Sequence, residues 1–225
     1  MPKKKSIQFD IVTIFPNVFS EYFNSTILAR AQKKKLIKIN ILDLRKFAKK
    51  SDPHKSVDDR PYGGGPGMIL MFEPIAKALK SIKRTKKARI IMTAPEGKKL
   101  TQKEAKRLSQ YDQLIILCGR YEGFDSRVEE LIDEKISIGK YVLAGGELPA
   151  MVITETVARH VPGVVGHDEA LTEETFSKGD DYVEYPQYTR PETVKHGRKK
   201  LSVPKVLLSG DHAKIKDWRD KNKKK

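Results

Sequence analysis

Three times in this chain a short aliphatic run breaks into a glycine-bearing loop, and that repetition constrains the fold more than any other feature. Gln113–Leu117 leads into Leu117-Cys-Gly-Arg-Tyr-Glu-Gly-Phe-Asp125. Ala88–Thr93 leads into Ala94-Pro-Glu-Gly97, and Lys135–Leu143 leads into Gly145-Gly-Glu-Leu-Pro149. Such runs read as buried strands, and the carboxyl ends of parallel strands are where α/β sheets place ligand chemistry. Three backbone-exposing turns at three strand ends can together wrap one small ligand.

The segments between the runs supply the helices that parallel crossovers need. Ile7–Phe15 reads as a first strand, and residues 25–35 as a helix with basic residues near its end, where they favour the helix dipole. Ile37–Leu44 alternates as a strand does. Pro74 opens a helix to Ile82. Thr101 with Glu104, and Ser126 with Glu129, have the spacing of capping boxes, the second opening a helix to Glu134. Leu148–His160 places Ala150, Ile153, Val157 and Val161 on one helical face. This alternation predicts a parallel sheet flanked by helices, and 225 residues suffice for one large domain with a small appendage. The long Asp52–Gly67 loop is polar and rich in glycine and proline, a length that points to function or mobility. Pro162-Gly163 ends the pattern. Residues 164–185 read as a polar linker that orders only on binding. Residues 186–225 read as a small helical appendage, with Asp211 capping a last helix that contains Trp218.

Several chemistries are excluded. No G-x-x-x-x-G-K-[ST] or clear G-x-G-x-x-G is present, no His/Cys spacing suits zinc, and no Ser-His-Asp arrangement stands out. The glycine loops therefore favour a ligand read by backbone N–H and C=O groups, as an adenosine moiety would be. The single cysteine, Cys118, follows three aliphatic residues and reads as a small buried side chain. No run of about 18 apolar residues exists to span a membrane, and no signal peptide is evident, so a cytoplasmic location is expected. The net charge of +16, from 45 Lys+Arg against 29 Asp+Glu, favours a polyanionic partner, nucleic acid first. Solubility alone is the plainer explanation, and the clusters Lys3–Lys5, Lys221 and Lys223–Lys225 read as solvated tails.

Two further groups of residues suit RNA. In Val57–Gly67, Arg60 can grip a phosphate through both nitrogens and Tyr62 can stack on a base; an ordinary loop with an internal Asp–Arg pair fits equally well. Pro186-Gln-Tyr-Thr-Arg-Pro191 joins an aromatic ring to a basic group, a pairing found in RNA contacts and in ordinary loops. Glu155, Arg159 and Glu174 form a third group, although a linker carboxylate such as Glu174 is ordinarily just solvated.

Taken together, these segments resemble the bacterial tRNA (guanine-N1)-methyltransferase family, TrmD, of the SPOUT superfamily. The resemblance is carried by Phe9-Asp-Ile-Val-Thr-Ile-Phe-Pro16, Val57-Asp-Asp-Arg-Pro-Tyr-Gly-Gly-Gly-Pro-Gly-Met68, Cys118-Gly-Arg-Tyr-Glu-Gly123 and Ser137-Ile-Gly-Lys-Tyr-Val-Leu-Ala-Gly-Gly-Glu-Leu-Pro-Ala-Met151. Tyr188-Thr-Arg-Pro-Glu192 and Val206-Leu-Leu-Ser-Gly-Asp-His212 extend it to nearly the whole chain. It implies an α/β fold with a parallel sheet and a deep trefoil knot over residues 1–163, the linker over 164–185, and a C-terminal helical tRNA-binding domain over 186–225. It implies S-adenosyl-L-methionine as methyl donor, tRNA as partner, and a homodimer with a shared active site. The reaction implied is methylation of N1 of the guanosine 3′ of the anticodon, tRNA position 37. A Mg2+ ion is compatible with it, without a dedicated ligand cluster.

The same resemblance assigns residues. The donor site would be lined by Ala94, Pro95, Gly119, Tyr121, Glu122, Gly123, Ser137, Ile138, Gly139, Tyr141, Val142, Leu143, Gly145, Gly146 and Pro149. Asp58, Arg60, Tyr62, Tyr188, Arg190 and His212 would meet tRNA. Thr172-Glu-Glu-Thr-Phe176 matches the segment that carries the family's catalytic aspartate, so Glu174 takes the place of the general base and Arg159 that of the catalytic arginine. Glu174 adds one methylene to the aspartate, and Ala94, Glu96 and Lys140 are further departures. A non-catalytic tRNA-binding homologue, or a knotted methyltransferase acting on ribosomal RNA, are the alternative readings.

Overall fold

A computed structural model of the chain describes residues 6–166 and 171–224. The Lys3–Lys5 cluster, residues 167–170 of the expected linker, and Lys225 lie outside the described residues. The chain divides into two compact units, 1–166 and 167–225.

The first unit runs β1 (Ile7–Thr13), α1 (Ser20–Phe23), α2 (Thr26–Lys33), β2 (Ile37–Asp43), β3 (Asp58–Asp59), β4 (Ile69–Leu70), α3 (Phe72–Ser81), β5 (Ala88–Lys99), α4 (Gln102–Leu108), β6 (Gln113–Leu117), β7 (Glu134–Ser137) and α5 (Glu147–Ala158). The main sheet has the order β2-β1-β6-β5-β7, and every neighbouring pair is parallel. Both faces are covered, so the central strand β6 is a nearly continuous aliphatic run, buried throughout. Alternate residues serve opposite faces. Phe9, Ile11, Ile91, Leu114 and Ile116 pack with Leu108 of α4 and with Ile153 and Val157 of α5. Val12, Ile90, Met92, Ile115 and Leu117 pack with Ile75, Ala78 and Leu79 of α3.

One buried charge interrupts the aliphatic pattern. Asp10 of β1 accepts hydrogen bonds from Gln8 Nε2 (2.8 Å), Asn40 Nδ2 (2.7 Å) and Gln113 Nε2 (2.7 Å). Asn40 is its direct register partner on β2. A buried carboxylate is tolerated when its acceptor sites are filled in this way.

The structure departs from the sequence reading where side chains compete for the backbone. The strand expected over Lys135–Leu143 stops at Ser137. Ser137 Oγ accepts from Gly139 N (3.2 Å) and donates to Gly139 O (2.9 Å), folding the chain out of the ladder. Residues 94–97 do not end β5 but bulge from it, since Thr93 and Lys98 both pair with Ile136. Neither capping box closes. Thr101 accepts from Glu104 N (3.3 Å), but the Glu104 carboxylate binds Lys98 and Arg107 instead. Asp125, not Ser126, caps the next segment, a 3₁₀ turn over Ser126–Leu131, while Glu129 binds Lys135. The long 52–67 loop contains β3, paired antiparallel with β4.

The second unit holds a hairpin of β8 (Thr193–His196) and β9 (Lys199–Ser202), then α6 (Lys205–Leu208) and α7 (His212–Asn222). The hairpin is absent from the sequence reading because its strands are polar and almost wholly exposed. Asp211 caps α7 as expected, accepting from the amides of Ala213 and Lys214 at 3.1 Å. Tyr182 is the one buried side chain among described residues 171–224. The C-terminal lysines are not simply solvated. Lys223 Nζ binds Asp220 (2.8 Å) and Glu173 (3.2 Å), and Val183 and Lys224 exchange backbone hydrogen bonds of 3.0 and 3.1 Å. These contacts tie residues 171–184 to the end of the chain, and Phe176 N, donating to Tyr182 O (2.8 Å), folds the segment back on itself.

Candidate active site

The bulge of β5 and the carboxyl ends of β6 and β7 converge on one cavity of about 410 Å3, a size that suits a cofactor-sized ligand. Every residue expected at the donor site lines it. The bulge contributes Ala94 and Pro95; the loop after β6 contributes Gly119 and Tyr121–Gly123; the loop after β7 contributes Ser137–Gly139, Tyr141–Leu143, Gly145 and Gly146, with Pro149 on α5. One close approach and one positive-φ turn explain the residue types. A Cβ on Gly146 would lie 2.7 Å from Gly119 N and 2.8 Å from Cys118 Cα, so only glycine lets the third loop touch the second. Gly123 has φ +112°, and Tyr121 beside it is held at φ +57°, an uncommon backbone for an aromatic residue. The 52–67 loop is moored to the same wall: Glu122 N donates to Met68 O (3.0 Å) and Leu70 N to Gly123 O (2.9 Å).

Polar groups at strand ends tie these loops together. Thr93 Oγ1 donates to Leu117 O (3.0 Å) and accepts from Gly119 N (3.3 Å), joining β5 to β6. Thr13, at the end of β1, donates to Glu147 Oε1 (2.8 Å), and both side chains are buried. Arg120 Nη1 donates to Ala144 O (2.6 Å). Thr93, Arg120, Ala144, Phe124 and Lys135 line the cavity without having been singled out from the sequence as donor-site residues. A threonine directly after an aliphatic run is the signal that points to Thr13 and Thr93. Burial, and then the Glu147 charge, push the Cys118 thiol far above its ordinary value, so it is an inert core residue behind the Gly119 loop. The Arg127 hydrogen bond lowers the Asp125 carboxyl, and hydrogen bonds to Glu129 and Glu96 raise the Lys135 ammonium.

The residues expected to meet RNA are spread over both units. Asp58 is half-buried, Arg60 exposed, and the Tyr62 ring stands fully in solvent. Tyr188 and Arg190 line a cleft of about 510 Å3 in the second unit together with Trp218, whose ring lies 6.3 Å from that of Tyr188. His212 is the exposed first residue of α7. Arg159 caps the C-terminus of α5 in the first unit, and Glu174 is half-buried in the second. Among the described residues no three His, Cys, Asp or Glu side chains gather as a metal site, and no helix is long and apolar enough to cross a membrane.

The chain was compared with known proteins. Residues 7–225 match the family model described as tRNA (Guanine-1)-methyltransferase TrmD. A tRNA (guanine-N(1)-)-methyltransferase of Carboxydothermus hydrogenoformans is 50% identical over 216 residues, 96% of this chain and 82% of the relative. Its counterpart from Ruminiclostridium cellulolyticum is 48% identical, over 95% of this chain and 89% of the relative. That from Staphylococcus haemolyticus is 42% identical over 96% and 86%.

Proposed function

The chain belongs to the tRNA (guanine-1)-methyltransferase family, and from that premise we propose that it transfers a methyl group from S-adenosyl-L-methionine to N1 of the guanosine at tRNA position 37, in the cytoplasm. The observation that carries this reading is the cavity at three adjacent strands, lined by every residue the family resemblance places at the donor site. Its volume and its glycine-edged loops fit a ligand bound chiefly by backbone groups. When bound there, S-adenosyl-L-methionine supplies an electrophilic methyl group.

The chain's own residues do the rest. Guanine N1 carries a proton, so its lone pair is unavailable until a base removes it. Glu174 takes that proton onto its carboxylate. Negative charge then gathers on guanine O6, where the Arg159 guanidinium stabilises it. Asp58, Arg60, Tyr62, Tyr188, Arg190 and His212 hold the RNA, and the loops fix the donor so that little motion is left to arrange.

Arg159 and Glu174 lie in separate units, and the proposal assembles them in a homodimer with a shared site and a knotted catalytic domain. An exposed apolar face on the first unit supports subunit contact. Leu148 (59% exposed) and Val152 (42%) lie one helical turn apart on α5, and Tyr22 of α1 donates to Glu155 one turn further on. The test is methyl transfer to an unmodified tRNA transcript, compared with a transcript carrying adenosine at position 37. Transfer to the first alone supports the reading, and transfer to neither refutes it.

A further inference from the structure

Arg120 sits where the second and third donor loops meet. It forms an antiparallel bridge with Gly145, and its Nη1 holds the Ala144 carbonyl at 2.6 Å. Its guanidinium lies 4.5 Å from the centroid of the Phe15 ring, a cation–π distance. Behind it stands Glu147, 7% exposed, whose Oε2 is 3.9 Å from Arg120 Nε and whose Oε1 accepts from Thr13. Arg120 Nε is itself buried with no hydrogen-bond partner. A half-buried guanidinium held on three sides, with its Nε enclosed and one nitrogen spent on a loop carbonyl, is costly to place and is poorly explained by stability alone.

We propose that Arg120 is a positioning residue that sets the third loop against the second and so fixes the shape of the donor cavity, with Glu147 and Phe15 holding its guanidinium in place. The inference rests on the donor-site reading above. Arg120 needs no contact with the acceptor RNA to act this way; it works through the Ala144 carbonyl. Its effect should therefore fall on the donor and not on the acceptor. Phe15 is 39% exposed, so the platform under Arg120 can be altered from the surface without opening the core.

The experiment measures donor dissociation by calorimetry, the Michaelis constants of donor and tRNA, and kcat at saturating donor, for the wild type, Arg120→Gln, Arg120→Lys, Glu147→Gln and Phe15→Ala. The expectation for Arg120→Gln is about tenfold weaker donor binding, the scale of one charge-assisted hydrogen bond. The tRNA Michaelis constant and kcat should stay within about twofold. Arg120→Lys should recover part of the affinity, while Glu147→Gln and Phe15→Ala should each weaken donor binding by about threefold. Equal loss across every kinetic constant, accompanied by a lower Tm, would make Arg120 a structural residue and overturn the proposal; so would unchanged donor binding in Arg120→Gln. If the Arg120 variants fail to fold, Phe15→Ala decides alone, because its ring can be removed from the surface. A wild type that binds no donor removes the donor-site reading itself, which is a different failure.

Discussion

The two units hold their residues in place by different means. In the first, the walls of the cavity hang from strands buried on both faces, and two aliphatic clusters fix where each loop begins. Among described residues 171–224 only Tyr182 is buried, and the segment around Glu174 is held by turns, by the Val183–Lys224 backbone bridge, and by Lys223 bound between Glu173 and Asp220. Packing of the first kind resists salt and resists small changes at the surface. Electrostatic fastening of the second kind is screened and reversible. Within the second unit charge is itself divided: residues 186–225 hold thirteen lysines and arginines against four carboxylates, whereas residues 164–185 hold seven carboxylates against one lysine. A small donor of fixed shape suits the rigid part. A long polyanion that must be gripped and released suits the other.

The largest effect that could break this contrast comes from Glu174→Gln. Turnover should fall about 10²–10⁴-fold, the span of a lost general base, while calorimetry finds donor affinity unchanged; full turnover in the variant would take Glu174 out of the mechanism. Next is Gly146→Ala. The added Cβ meets the backbone of Gly119 and Cys118, so donor binding should be lost and thermal unfolding should register about 1–3 kcal/mol of destabilisation. Wild-type donor affinity in this variant would mean that the first unit is more pliable than its packing implies.

A smaller effect concerns pH. Burial raises the Glu134 carboxyl, but hydrogen bonds from Arg107 and Arg89 outweigh it, and the folded value is lowered. A carboxyl lowered on folding contributes stability above its unfolded value and loses it as pH falls through the folded one. Wild type should therefore resist urea better than Glu134→Gln at neutral pH. The gap should shrink between about pH 5 and pH 3, and a gap that does not change with pH would contradict the assignment. The smallest effect is expected from Lys223→Ala, which loosens the fastening of residues 171–184. Turnover should fall about two- to fivefold, and added salt should produce the same loss in the wild type. Salt-independent turnover would erase the distinction between the units.

The first unit was largely legible in its amino acids, because aliphatic runs and helical spacing report burial directly. Gln113–Leu117, the Ile7 and Ile37 strands, and the α5 face carrying Ala150, Ile153 and Val157 all stand as read. The errors fall where a polar side chain had a choice of partners. Ser137 turned the chain out of β7, and Glu104 and Glu129 preferred nearby cations to the helix starts beside them. Such choices turn on side-chain geometry between near neighbours, which spacing alone does not report. The β8–β9 hairpin was missed because exposed strands carry no alternation to read. Arg120 and Glu147 were hidden for a related reason: a charge in sequence suggests solvent, and only the fold reveals that Glu147 is buried and Arg120 half-buried against it.

Asp10 bears on how such a sheet assembles at all. Strands built from interchangeable isoleucines and leucines could be threaded two residues out of step with little loss of apolar contact. Any such misthreading would strip the Asp10 carboxylate of its Asn40 and Gln113 partners and leave it with Gln8 alone. One acid therefore acts as a proofreading device for β1, β2 and β6, far from the loops whose spacing it protects.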